Sequence, residues 1–565
     1  MNNLQDGTEI SSDLWKYDHD NQSWTDFSSK MPDEPGGDSA FNDPFSGQGG
    51  YDLVVSVKPD NENFVLIGGS NAYRIENIES DPEFLRIGGY LNNSGYALYN
   101  TPNGDEHHPD IHAYEFNPFN FNELYSGTDG GVHLSDDITA NIINWQNLNN
   151  NYQTYQFYHV GIDPAPNSNI VIGGAQDNGT VVGGTQAGNP NNSTMFGFLG
   201  GDGVASEISR ADPSCGGGAA VFAGFQNGRV FRSCNSFVEI TPNGSSSQFV
   251  TYFRLDNDNQ NHLLYAARNR IYATFEASDV TQSTWDNKGN SGQLGASDWW
   301  RRFNFSPGTY TADSYLLAGG DEGLVIRLDD PQNNDLIDAV NITPSQVNQG
   351  ANIITTGLAI HPTNPDIVLL TYSNYGIENI FLTTNATSDD PDWTVVERNL
   401  ADYSIRSAVI TEVNGETRYF VGTARGLFAT NDPTTSDWEM QAPDLIGMAL
   451  VSDLQYRQAD QQLLIGTHGN GMFMATVEQE LDIQEFNAEE LANISLFPNP
   501  ATTSITIDAP ADLNESAYRV IDLSGKTLEK GVLSTDNQVN VSSLSPGVYF
   551  LSLGKNTKTL RFIKR

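Results

Sequence analysis

One phrase recurs along the first 480 residues: a short apolar strand, a glycine-bearing turn, then a second strand. It stands as "NFVLIGGSNAYRI" (63–75), "NELYSGTDGGVHLS" (122–135), "NIVIGGAQDNGTVVGG" (169–184) and "AAVFAGFQNGRVFRS" (219–233). It returns as "HLLYAARNRIYAT" (262–274), "YLLAGGDEGLVIRL" (315–328) and "DIVLLTYSNYGIENIFLTT" (366–384), and lastly as "RYFVGTARGLFATND" (418–432) and "QLLIGTHGNGMFMAT" (462–476). Apolar and aromatic runs around a turn with glycine at positive φ read as β-hairpins. A hairpin alone cannot bury its faces. Four-stranded sheets repeated radially can, and a repeat of this length predicts a β-propeller. Nine units and a remnant at 8–27 predict an all-β fold, one large ring of about ten blades over residues 1–480.

The flanks of each hairpin fit a blade. A strand ending in a proline turn precedes several of them, as in "VVSVKPDNEN" (54–63), "VGIDPAPNSN" (160–169) and "LAIHPTNPD" (358–366), and reads as the inner strand. An aspartate-rich turn and a tryptophan follow, as in "YDHDNQSW" (17–24), "SDDITANIINW" (135–145), "TSDDPDW" (387–393) and "DPTTSDW" (432–438). Aspartate caps such turns, and tryptophan is expected to pack between blades.

Strand, glycine pair, strand, aspartate turn and tryptophan resemble the Asp-box (BNR-like) repeats of sialidases, sortilin-type propellers and xyloglucanase-type hydrolases. Six phrases in order are similar to secreted propeller proteins of Bacteroidetes: "YDLVVSVKPDNENFVLIGG" (51–69), "HPDIH" (108–112), "GTDGG" (127–131), "GGAQDNGT" (173–180), "GGDGV" (200–204) and "GTHGNG" (466–471). The resemblance implies fold and family. It does not imply an activity, because this architecture hosts many.

Charge separates a second region. The chain carries 71 acidic and 28 basic residues, net −43, which repels DNA and RNA. Residues 494–565 hold eight basic and six acidic residues, so the rest carries −45. A linker is expected at 481–493, with a short helix over 483–494, and a small β-sandwich at 494–565. The tail phrases "LFPNPATTSITI", "RVIDLSGK", "LSPGVYFLSL" and "KTLRFIKR" resemble the C-terminal sorting domain of the Bacteroidetes type IX secretion system. That implies the outer-membrane translocon as partner and a secreted or cell-surface location. Pairing of the last strand with a receptor sheet is one physical route. A type IX substrate needs a signal peptide. "MNNLQDGTEISSD" lacks its basic and apolar regions, so the N-terminus is expected to be truncated. No apolar run is long enough for a membrane-spanning helix. Cys215 and Cys234 can pair in an oxidising compartment or stay free in a reducing one.

Candidate chemistry lies in the turns. His108, Asp110 and His112 alternate, and in an extended strand would share a face, a set suited to a divalent metal such as zinc or calcium; hydrogen bonding between blades is the competing reading. Gln176, Asp177 and Asn178 with Asp129 are binding candidates, or turn formers. Asp177 and Asp202 are the candidate acid and base of a glycoside hydrolase, which needs carboxylates about 5–10 Å apart. The sialidase arginine pattern is not recognisable, so sialidase activity is disfavoured. "WWRRF" (299–303) suits either a sugar platform or a core edge, and His468 reads as structural. Two functions follow: a secreted propeller that binds extracellular carbohydrate or protein, or an extracellular glycoside hydrolase.

Overall fold

The computed structural model describes residues 2–5, 10–32, 45–91, 97–150, 153–347, 353–478, 495–508, 516–522, 526–533, 535–553 and 559–565. The expected linker at 481–493 and helix at 483–494 lie outside them. The chain divides into two compact units, Met1–Val477 and Glu478–Arg565.

In the first unit each repeat forms its own antiparallel sheet, with strands side by side in chain order. We number the sheets 1 to 9: residues 54–88, 111–147, 157–199, 203–239, 253–287, 300–341, 354–395, 405–441 and 450–476. Among the described residues sheets 1 to 8 have four strands and sheet 9 has three. The strands Tyr315–Gly320 and Val368–Ser373 are buried at every position. This explains why the hairpin phrases are continuously apolar: a strand whose sheet is covered on both faces has no solvent side.

The paired glycines do a different job from the one the sequence suggested. Gly174 lies within the strand Val171–Ala175, and a Cβ there would come within 1.9 Å of the Val204 carbonyl oxygen in the next sheet. Glycine here allows close approach between sheets. Positive φ falls later in the turn, at Asp177 (57°) and Gly179 (69°).

Two side-chain contacts recur between sheets. The indole N–H groups of Trp145, Trp285, Trp393 and Trp438 donate to the carbonyls of Ile87, Ile240, Ile342 and Val396, each about one repeat earlier, at 2.6–2.9 Å. Arg74, Arg232 and Arg327 reach forward to the carbonyls of Ile138, Val280 and Ala386 in the aspartate turns. Trp24 departs from the expectation and is exposed: among the described residues its hairpin, Trp15–Asp18 with Ser23–Asp26, has no further strand in its sheet.

The expected ring of about ten blades needs correction. The propeller stands, but its closed ring has seven sheets. The first strands of sheets 3 to 9 all line one central cavity, through residues such as Ile162, Glu207, Leu255, Phe305, Ile360, Ile410 and Leu454. Sheet 9 closes back on sheet 3. The Val160 N–H donates to Asp453 Oδ2 at 3.1 Å, Ser452 Oγ donates to the Phe157 carbonyl at 2.6 Å, and Arg457 donates to the carbonyls of Asp163 and Ser168. Sheets 1 and 2 pack on each other through their first strands, Val54–Lys58 and Ile111–Asn117, ahead of this ring. Seam contacts specific to sheets 3 and 9 leave no place between them for sheets 1 and 2.

Cys215 and Cys234 form a disulfide, with Cα atoms 4.8 Å apart. In the second unit the strands Ser495–Phe497, Ser504–Asp508 and Gln538–Asn540 form one sheet. Thr527–Val532, Ala517–Ile521, Gly547–Leu553 and Leu560–Lys564 form the other. Ile505, Val520, Val539, Leu551 and Phe562 fill the shared core.

Candidate functional site

In a four-stranded meander, the start of strand one and the turn between strands two and three lie at the same end of the sheet. Asp52 and Asp110 stand just before the first strands of sheets 1 and 2, and Asp202 just before that of sheet 4. Asp129 and Asp177 occupy the second turns of sheets 2 and 3. Five of the six phrases singled out in the sequence therefore deliver an aspartate to one end of neighbouring sheets.

The backbone fixes each one. The Asp110 N–H donates to the Ser70 carbonyl at 3.1 Å, and the Asp129 N–H to the Asp110 carbonyl at 3.2 Å. The Asp177 N–H donates to Asp202 Oδ1 at 2.9 Å, and the Asp202 N–H to Gln226 Oε1 at 2.9 Å. One oxygen from each of Asp110, Asp129 and Asp177 lies within 4.8 Å of the others. Gln48 Nε2 donates to Asp110 Oδ1 at 2.6 Å, and His112 Nε2 meets Asp129 Oδ1 at 2.5 Å. Asp52 is completely buried beneath them, with Oδ1 3.7 Å from His112 Nε2.

The charges oppose one another. Burial, followed by the charge of Asp110, pushes the Asp52 carboxyl up to about 8. Burial, then Asp129 and Asp202, does the same to Asp177, also to about 8. Asp110 is raised by burial and by Asp129, against the opposing pull of His108. The Tyr51 phenol is raised, first by Asp129. Tyr158, whose hydroxyl donates to Gln176 Oε1, is pushed up to about 12 by burial and by Asp202.

The histidines fall differently from the sequence expectation. Asp110 has φ 62° and precedes the strand, so His108, Asp110 and His112 are not alternate residues of one extended segment. The ring of His108 is committed to two carbonyls, Pro109 through Nδ1 and Asp177 through Nε2, each at 3.0 Å. It cannot ligate a metal without breaking those bonds. Of the expected metal set only Asp110 belongs to the carboxylate triad, and His112 supports it from outside. Gln176 and Asn178 hold the turn, Asn178 through the carbonyls of Gln176 and Asp129. Asp177 and Asp202 are joined through the backbone, the Asp177 N–H donating to Asp202 Oδ1, so the two expected acid–base residues belong to adjoining turns. The sequence reading missed Asp52. Its signal was position: like Asp110 and Asp202, it comes just before a first strand.

Tyr158 also lines a second feature, a cavity of about 370 Å³ at the ring mouth, with Tyr252, Trp299, Arg301, Arg302, Arg406 and His468. Arg268 lies over the Trp299 ring at 5.1 Å and Arg302 over the Tyr252 ring at 4.9 Å. Arg301 pairs with Asp321, whereas Arg302 donates to the carbonyls of Thr356 and Arg301. Trp300 is buried, so "WWRRF" serves both core and cavity wall.

Comparison with known proteins bears mainly on the tail. Residues 495–565 match the family described as a secretion system C-terminal sorting domain. The C-terminal unit is thus a type IX sorting domain, and the protein is exported to the cell surface or secreted. A search of curated proteins found no match. Among solved structures, the Niastella koreensis GH74 enzyme is similar at 14% identity and a TM-score of 0.50, over 83% of this chain and 64% of that one. PorZ, a surface component of the type IX secretion system of Porphyromonas gingivalis, aligns at 13% identity and a TM-score of 0.42, over 99% of this chain and 80% of that one. The extracellular domain of a one-component system from B. thetaiotaomicron aligns at 14% and 0.39, over 98% and 85%. At these identities the likeness concerns fold alone. No helix among the described residues is long and apolar enough to cross a membrane.

Proposed function

We propose that this exported protein binds extracellular glycans at the mouth of its seven-sheet ring. The cavity there carries the reading. It brings Trp299 and Tyr252 together with Arg302 and Arg406 around a space of about 370 Å³. Apolar rings with a few convergent polar groups suit a saccharide, which offers C–H faces and hydroxyls together. A pocket of this size favours a chain of sugars over a flat protein surface. The arginines favour a glycan bearing carboxylate or sulfate groups. Affinity electrophoresis against neutral and acidic polysaccharides tests this. Retardation by an acidic polysaccharide is expected, with Trp299→Ala and Arg302→Ala each weakening it at least tenfold. Unretarded migration in every polysaccharide would overturn the reading.

A hydrolase is the second reading, favoured by the Asp177 carboxyl, which its surroundings raise to about 8 and so keep protonated at neutral pH. A protonated carboxyl can serve as a general acid. Release of reducing sugar that Asp177→Asn abolishes would support it.

A further inference from the structure

We propose that Asp110, Asp129 and Asp177, with Asp52 beneath them, form a binding site for a hard divalent cation, calcium above all. The site is independent of the glycan reading. Two oxygens that share one calcium at about 2.4 Å stand at most about 4.8 Å apart. One oxygen from each of the three aspartates lies within 4.8 Å of the others. All the donors are oxygen, which suits calcium, magnesium or manganese better than zinc with its preference for nitrogen and sulfur.

Asp52 supplies a second and separate observation. Its side chain is wholly buried, and neither carboxylate oxygen has a donor at hydrogen-bond distance; the group it bears on is another carboxyl, that of Asp110. It points into the cluster, where Asp110, Asp129 and Asp177 all act on it and His112 Nε2 lies 3.7 Å away. A buried carboxylate without a donor is costly, so native proteins pair such groups. Elsewhere in this unit that is done by cationic side chains: Arg254 meets Glu207 at 3.1 Å, and Arg301 meets Asp321 at 2.5 Å. Among the described ion pairs, none brings lysine or arginine to these four aspartates. His108 and His112 are the only basic groups described against the four carboxyls, and a metal ion would supply the further positive charge that no lysine or arginine brings. His112 and Gln48 then fix the orientation of Asp129 and Asp110, as partners behind metal ligands commonly do.

The test uses the full chain, stripped with chelator and dialysed. Calcium titration by calorimetry is expected to show one site, and melting temperature to rise with added calcium. Terbium should bind in its place and luminesce through Tyr51, with calcium competing. Asp129→Asn and Asp177→Asn should each weaken calcium binding at least a hundredfold. In chelator both should melt no lower than the unaltered protein, since each replaces one member of a crowded set of carboxyls with a neutral amide of the same shape. Asp392→Asn, an exposed control, should bind as before. Absence of heat, of a melting shift and of terbium luminescence at roughly 10 mM ion, above the range of extracellular calcium modules, would overturn the site. So would zinc binding with calcium silent, or calcium binding unchanged in both variants. If a variant fails to fold, the terbium and calcium competition on the unaltered protein still decides.

Discussion

Asp52 and Asp177 each hold a proton in the folded chain that the unfolded chain releases. Their folded values are about 8 against an ordinary 3.8. Below pH 4 both states are protonated, so neither carboxyl affects stability. Between pH 4 and 8 the unfolded state binds fewer protons, and stability falls as pH rises, by at most about 1.4 kcal/mol per pH unit for each carboxyl. Above 8 the loss levels off. Urea midpoints measured in chelator at pH 5 and pH 8 should therefore differ, the protein being less stable at pH 8. Asp52→Asn and Asp177→Asn should each flatten the slope. A midpoint unchanged over this range, or a slope insensitive to both variants, would refute the assignment. The sequence displayed four of these aspartates well, Asp110, Asp129, Asp177 and Asp202, each in its own distinctive phrase, and left Asp52 unmarked. It did not display which would lie against which. That depends on Asp110 leaving the strand with φ 62° and on Asp177 turning back over His108, and both are set by neighbouring sheets.

Each sheet is attached to the next by the same few contacts, so damage to one attachment has a local and calculable cost. Trp438→Phe removes the 2.9 Å bond to the Val396 carbonyl and leaves that oxygen buried without a donor. A loss of about 1–3 kcal/mol is expected, read from denaturant midpoints. A change below half of that would show that ring packing alone holds the sheets. Cys215→Ser opens a bridge spanning 19 residues and should cost about 3 kcal/mol, confined to sheet 4. Hydrogen exchange would locate the effect; protection lost evenly over the ring would contradict it. In the C-terminal unit the last strand, Leu560–Lys564, pairs with Gly547–Leu553 on one side. On its other side the "PNPA" segment covers it: the Ala501 N–H donates to the Ile563 carbonyl, the Asn499 amide to that of Arg561, and the Ile563 N–H to Asn499 Oδ1. A receptor strand cannot add there without displacing residues 499–501, which corrects the simple strand-pairing route. Asn499→Ala should loosen this cover, raising amide exchange at Ile563 while Leu551 stays protected.

At the scale of the whole molecule, periodicity made the propeller legible and could not make the ring size legible. Nine hairpins look alike in sequence, yet seven close on themselves. The residues that decide it, Asp453 and Arg457, resemble ordinary strand polars until Val160 and Asp163 are placed beside them. Two predictions belong here. Residues 153–478 produced alone should fold as a monomer with the melting behaviour of an intact ring; an aggregated or molten product would show that sheets 1 and 2 are needed for closure. Arg457→Ala leaves two seam carbonyls without their donor, that of Ser168 buried and that of Asp163 half-buried, and should cost about 3 kcal/mol, beyond what Arg232→Ala costs between ordinary neighbours. Equal costs would mean that the seam is no different from the other joints.

That seam joins residues 293 positions apart in the chain. Every other joint in the ring links consecutive repeats and can form as soon as its two sheets exist. The last joint must wait for the end of the repeat array, and it pays the loop-closure entropy of the entire circle at once. During synthesis the ring therefore stays an open arc with two unjoined ends until residue 476 is present. Its lifetime against proteases outside the cell is governed by how seldom one particular pair of sheets lets go.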